Sequence, residues 1–214
     1  MRPPTGAPPA PSVVPYITAH QREPHVSPPV VRRYGWGGQG LGYRNETPYD
    51  RDADGALWVR QAIVPRDRRG EPQFETVHAL RQRRAMLDLL CQVCGKHTIP
   101  EDEGRHLFLL RDVGRPVAEG ERTTAPPLCV PCAGTAVEEC PPLRRGHVAV
   151  RVQHAPAWGV AGVLHDPETL ERIPGRELEE VSYGSPLLRW VLAARMVVSL
   201  HGCVPVDLDA ELAG

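Results

Sequence analysis

The chain has 214 residues, enough for one domain with an extension and too few for two large domains. Hydrophobic residues make up 41% and charged residues 24%, so neither a collagen-like nor a wholly disordered chain is expected. The 24 prolines, 20 glycines and 5% aromatics nevertheless leave part of the length outside a packed core. A formal net charge of −1 excludes a global pull toward nucleic acid or acidic lipid, so any such contact must come from a local patch.

Residues 1–33 are proline-rich without a sustained period and read as a flexible or polyproline-II arm. Its start, Met1-Arg2-Pro3-Pro4, has no apolar signal core, and a cytoplasmic protein is expected. Within the arm, Val13-Val14-Pro15-Tyr16-Ile17-Thr18 could dock as an edge strand, although a disordered tail is the simpler reading. Residues 34–43 (YGWGGQGLGY) lack the spacing of a phosphate-binding loop and read as an irregular loop anchored by Trp36 and Tyr43. Asp50-Arg51-Asp52-Ala53-Asp54-Gly55 has the D-x-D-x-D-G spacing of a calcium loop, but Gln61 stands where its bidentate glutamate belongs. The string is read as a turn before a strand over 56–64. Residues 76–90 read as a helix capped by Thr76, with Val77, Leu80, Leu87 and Leu90 on one side and Arg81, Arg83 and Arg84 on the other. Seven arginines against four acidic residues make 60–90 the distinctly basic stretch: a solvated face or a phosphate-binding surface.

Cys91-Gln92-Val93-Cys94-Gly95 follows directly, and Cys129-Val130-Pro131-Cys132 comes after 34 intervening residues. A two-residue gap lets both thiolates of a turn face one side, and a second pair completes a four-sulfur tetrahedron with Zn–S near ~2.3 Å. Cys91, Cys94, Cys129 and Cys132 are therefore the expected zinc ligands, with iron the competing metal for the same donors. A redox pair is the alternative without metal, but it leaves the second C-x-x-C unexplained. Residues 106–111 read as a strand and Gly114-Arg115-Pro116 as a turn, which together predict a hairpin between the pairs. Residues 133–140 predict a short helix stopped by Pro141-Pro142. Helix, knuckle, hairpin and helix in that order is the plan of a treble-clef zinc finger, over about 76–140.

The helix, CQVCG, hairpin and PPLCVPCA together resemble the zinc-bound scaffold of many HNH endonucleases. That family's chemistry needs a histidine to activate water and another, often with an asparagine, to help hold the catalytic metal. Here His97 and His106 occur singly, Ala125-Pro126-Pro127-Leu128 replaces the usual Asn-Leu step, and Ala133 stands where a histidine often follows. The resemblance therefore implies a divergent nuclease, with His97 or His106 activating water, as the alternative function. The segments VPYITA, ETPYDRDADGALWVR, HALRQRRAMLDLLCQVCG and LRRGHVAVRV also resemble a group of uncharacterised proteins of high-GC bacteria, some associated with mobile elements.

In the last third, alternating Val148, Val150 and Val152 predict a strand, 158–164 a second and 177–183 a third. Ser185-Pro186 reads as a helix start, with Leu187, Val191, Ala194 and Val198 on one face and Gly202 closing it. This apolar stretch contains Arg189 and Arg195 and is shorter than the ~20 residues of a membrane span, so no membrane partner is expected. His147, His154, His165 and His201 lack metal spacing, and Cys203 reads as a small buried hydrophobe.

The expected architecture is α+β: the arm over 1–33, then one zinc-stabilised domain over 34–214 in which the treble clef precedes a small antiparallel sheet with a covering helix. The expected function is non-catalytic binding of nucleic acid or a protein partner, through Arg81, Arg83, Arg84, Arg144 and Arg145. No small-molecule substrate is indicated.

Overall fold

A computed structural model describes residues 11–26, 28–35, 38–98, 104–175 and 178–213. Along the described chain run β1 (Thr18–His20), β2 (His25–Val26), β3 (Val30–Gly35), β4 (Gly38–Tyr43), β5 (Leu57–Trp58), β6 (Arg60–Gln61), β7 (Pro72–Val77) and helix α1 (Ala79–Leu87). Then follow β8 (His106–Arg111), β9 (Glu121–Thr123), α2 (Val130–Glu139), α3 (Pro141–Arg144), β10 (His147–Val152), β11 (Ala157–Leu164), β12 (Glu179–Ser182), β13 (Val191–Leu200), β14 (Val204–Val206) and α4 (Leu208–Ala213). The fold is mixed α+β with mostly small sheets. Among the described residues no helix is long and apolar enough to cross a membrane.

Strand β8 divides the interior. Successive side chains of a strand point to opposite faces, so Phe108 enters one core while Leu107 and Leu109 enter another. Its antiparallel partner β10 keeps the same division, with Val150 opposite Phe108 and Ala149 opposite Leu109. On one side lies the main core of Trp58, Phe108, Val150, Val160, Met196, Val198 and Leu200. On the other lies a smaller core that contains Cys91, Leu107, Leu109, Leu128 and Ala133. The hairpin expected between the cysteine pairs is thus not formed: β8 pairs with β10, and β9 pairs with β13.

The helix expected after Ser185 is also absent. Residues 186–190 make a 3-10 turn, with Leu187 N–H donating to Ser185 Oγ at 3.1 Å, and the chain then extends into the ten-residue β13. This strand pairs with β11 and β9 on antiparallel sides and with β5 in parallel. A strand inside a sheet is apolar on both faces, and such a run mimics helical spacing until its β-branched content and its neighbours are counted. The cover over β13 comes from α1. The buried Gln82 amide donates to the Met196 carbonyl at 3.0 Å and accepts from Met196 N–H at 2.9 Å, tying the helix to the strand's backbone.

Helix α1 is shorter than expected. Thr76 belongs to β7, and the cap is His78, whose Nδ1 accepts from Arg81 N–H at 3.4 Å. The helix ends where Leu89 takes a left-handed φ of 49° and turns the chain into Cys91. Helix α2 starts earlier than expected, with Cys129 as N-cap, and Pro141-Pro142 both end it and open α3. The strand expected over 56–64 is two short strands, β5 and β6, and Val30–Gly35 pairs with Gly38–Tyr43 as β3–β4 instead of an irregular loop. Tyr43 is its buried anchor; Trp36, residues 1–10 of the arm and Glu177 lie outside the described residues. Asp52 organises the acidic turn by accepting from Ala56 N–H at 2.9 Å and from Trp58 Nε1–H at 2.9 Å.

The segment expected as an arm packs on the rest from its described part onward. Tyr16 N–H donates to the Val93 carbonyl at 2.9 Å, β1 pairs with β7, and β2 pairs with β6. Glu23, at 1% exposure, is bound by both terminal nitrogens of Arg81 at 2.8 and 2.6 Å. Arg81 is therefore an interior residue, and sequence periodicity placed it on the wrong face because its partner lies 58 residues earlier.

Candidate metal centre

The end of α1 and the start of α2 are brought together by the smaller core, and each carries one C-x-x-C pair. In the first pair, Cys91 N–H donates to the Lys96 carbonyl at 2.7 Å and Gly95 N–H to the Cys91 carbonyl at 2.8 Å, closing a tight knuckle. Thr98 N–H and Oγ1–H both donate to the Leu89 carbonyl, at 3.3 and 2.9 Å, which pins the knuckle's exit to its entry. Gln92 N–H reaches the Pro127 carbonyl at 3.0 Å and so sets the first pair beside the second.

The sulfurs of Cys91, Cys94, Cys129 and Cys132 all lie within 4.8 Å of one another. Cys94 and Cys129 are 3.8 Å apart and Cys129 and Cys91 are 3.7 Å apart. Bonds of ~2.3 Å to one tetrahedral ion put its sulfurs roughly 3.8 Å apart, whereas a disulfide brings them to about 2.05 Å. All six cysteines are free thiols. The four residues expected as ligands are thus assembled with the spacing of a single metal ion.

Electrostatics point the same way. Burial pushes the Cys91 thiol up to about 11 against backbone N–H groups of Cys94, Cys129 and Val93 that favour the thiolate. Burial together with the neighbouring sulfurs also raises Cys132. Cys94 is the exception. Burial opposes its ionisation, but the backbone N–H of Lys96 and hydrogen bonds from the other thiols outweigh it, and its pKa falls. Four adjacent thiolates without a cation would repel one another, and a bound divalent ion reverses that balance and deprotonates its ligands.

Gly95 has a φ of +73°, and a Cβ there would sit 3.0 Å from the Tyr16 ring. The glycine is needed both for the left-handed turn and for the aromatic ring that covers it. Gly95→Ala is expected to cost about 1–3 kcal/mol and to lower the unfolding midpoint; an unchanged midpoint would show that Tyr16 does not rest on the knuckle. Tyr16 was invisible as a site residue because its contact lies 77 to 79 residues away along the chain.

The other expected site residues do not join this centre. His106 is buried at 4% exposure, its Nδ1 is 2.6 Å from Thr98 Oγ1, and burial lowers its pKa. Since Thr98 gives its proton to Leu89, His106 donates through Nδ1–H and acts as an internal tether. His97 is exposed and forms a bridge with Leu90. Among the described residues no group of metal-ligating side chains other than the four cysteines converges. Of the expected basic contacts, Arg81 is buried on Glu23, Arg83 stacks over Trp58 at 4.7 Å from the ring centroid, and Arg84 pairs with Asp88 at 3.3 Å. The helix face is therefore not a set of free cations, while Arg144 and Arg145 are exposed at the end of α3.

No protein-family model matches the chain, and no curated protein or solved structure matches it.

Proposed function

We propose that the chain is a non-catalytic binding protein stabilised by one zinc ion on Cys91, Cys94, Cys129 and Cys132, with nucleic acid as its ligand. The observation that carries this reading is the convergence of four sulfurs between a knuckle and a helix start, with neither His97 nor His106 among them. A knuckle and a helix start are two of the three parts of a treble clef, and the β8–β10 ladder takes the place of the third. A closed four-sulfur site has no open position for substrate, so the metal acts through the fold. Of the expected arginine contacts, Arg144 and Arg145, exposed at the end of α3, are the ones that support nucleic acid over a protein partner.

Elemental analysis of purified protein tests the first half: one zinc per chain is expected, and a visible absorption band with iron would replace zinc by iron. The divergent nuclease is the second reading. Supercoiled DNA incubated with the protein and Mg²⁺ or Mn²⁺ is expected to remain intact. Nicking that disappears in His106→Ala would overturn the non-catalytic assignment.

A further inference from the structure

One end of the β8–β10 ladder brings a third arginine to the two at the end of α3. Arg111, the last residue of β8, stands opposite His147, the first of β10. Alternation sends Arg111 out on the face of Leu107 and Leu109, which line the smaller core. Residues directly opposite share a face, so His147 leaves on that side too, in line with Ala149 of the same core. Helix α3 lies over this face. Leu143 packs against the smaller core, and His147 Nδ1 is 3.2 Å from the Leu143 carbonyl. Arg144 and Arg145 are the next two residues, so the register and this one contact set them beside Arg111, 33 residues away in sequence.

All three arginines are exposed, and none forms an ion pair among the described residues. This distinguishes them from the arginines of α1 and from Arg115, which Glu121 holds through contacts of 2.7 and 2.9 Å. The acids nearby in sequence are engaged elsewhere. Asp112 turns back to accept from Gly114 N–H at 2.7 Å. Glu139, at the end of α2, accepts from the backbone N–H groups of Ser12 and Val13 at 3.0 and 3.4 Å and from the Ser12 hydroxyl. Glu138 is the acid of α2 left to solvent.

An arginine fork without a carboxylate of its own matches a phosphate, which it can hold through two parallel N–H bonds. Three such forks on neighbouring elements match a row of phosphates rather than one. The segments that carry them, 109–117 and 129–157, contain no Phe, Tyr or Trp, so the arginines are not interleaved with the rings on which unpaired bases stack. We propose that Arg111, Arg144 and Arg145 form a surface for the phosphate backbone of duplex DNA. A duplex keeps its bases stacked inside and turns its phosphates outward, and contacts confined to phosphates fix the protein on it without reading sequence. This inference rests on the nucleic-acid reading above and supplies its surface, with Arg111 as the contact that periodicity did not offer.

Fluorescence anisotropy of a labelled DNA duplex of about 20 base pairs with the full zinc-loaded chain tests it. Arg111→Gln, Arg144→Gln and Arg145→Gln are each expected to weaken binding about five- to tenfold near 0.1 M salt and to reduce the magnitude of the logarithmic salt slope by about 0.9, the value for one duplex phosphate contact. Arg66→Gln removes an exposed arginine outside the surface and should bind as wild type. All four positions are exposed, so unfolding midpoints should match the wild type and separate lost binding from lost fold. If the wild type binds the duplex and the three variants bind equally well, the surface is overturned while the nucleic-acid reading stands. The same holds if Arg66→Gln weakens binding as much as they do, since binding would then follow total charge. Tighter binding of a single strand of equal length would overturn the duplex assignment. No binding of either by the zinc-loaded wild type would overturn both the surface and the reading beneath it.

Discussion

Cys91→Ser and Cys129→Ser should each lose the zinc and lower the unfolding midpoint by about 10 °C or more, a shift that corresponds to several kcal/mol in a chain of this size. Structural zinc supplies ~10–16 kcal/mol in small fingers, where metal binding is folding. Here the ion joins the end of α1 to the start of α2, and its surroundings are a small core of seven buried residues. The larger core, from Trp58 to Leu200, lies beyond the β8–β10 wall and owes nothing to the metal directly. Loss should therefore be uneven. Backbone amides of the knuckle, α2 and α3 should exchange rapidly in the variants, while β11 and β13 keep most of their protection, because local opening follows local packing. Treatment of the wild type with a strong chelator should reproduce both effects. Metal-free variants with wild-type midpoints and exchange would remove the metal from the fold's account and leave the cysteines to redox chemistry.

What could be read in advance follows contact range. The four ligands were legible because two residues of spacing within each pair is a local property and tetrahedral chemistry requires two such pairs. The strands 147–152 and 157–164 were legible for the same reason, since alternation is written in adjacent residues. The central strand β13 was not. Val191, Ala194 and Val198 fit a helix as well as a doubly buried strand, and only β5, β9 and β11 on its edges decide between them. Arg81 failed similarly. A helical wheel puts it with Arg84 on a polar face, yet Glu23 arrives from the amino-terminal segment and takes it into the interior. That one long-range pair turns an expected arm into an integral strand and an expected binding residue into a structural one. In the β3–β4 pair, the glycines 38, 40 and 42 were visible as letters, but their shared face depends on a register that the sequence does not state.

Arg81→Ala should be the most damaging single change outside the cysteines, at about 3–5 kcal/mol, because it leaves the Glu23 carboxylate buried without its cation. Glu23 also accepts from His20 N–H at 3.2 Å and Val64 N–H at 3.4 Å and lies 3.3 Å from Arg69 Nε, but these contacts do not replace a bidentate guanidinium. Burial works to raise the Glu23 carboxyl. The hydrogen bonds and charge of Arg81, with His78 and the Val64 amide, prevail and hold it down at about 2, against 4.5 for an ordinary glutamate. A depressed carboxyl contributes stability that is complete above the unfolded value and disappears as pH falls through the folded one. Between about pH 4.5 and 2 the wild type should thus lose roughly 3 kcal/mol through this group alone. His78 adds an earlier loss of the same sign. Burial lowers its pKa, so from about 6.5 downward the unfolded chain takes up a proton that the folded one resists. Urea unfolding as a function of pH separates the two. Glu23→Gln should be less stable at pH 7 yet show a flatter profile between pH 4.5 and 2, and should retain the slope above it, to which the buried His106 and His165 contribute along with His78. A Glu23→Gln profile parallel to the wild type across the acid range would mean that the carboxylate is not the charge Arg81 holds in place.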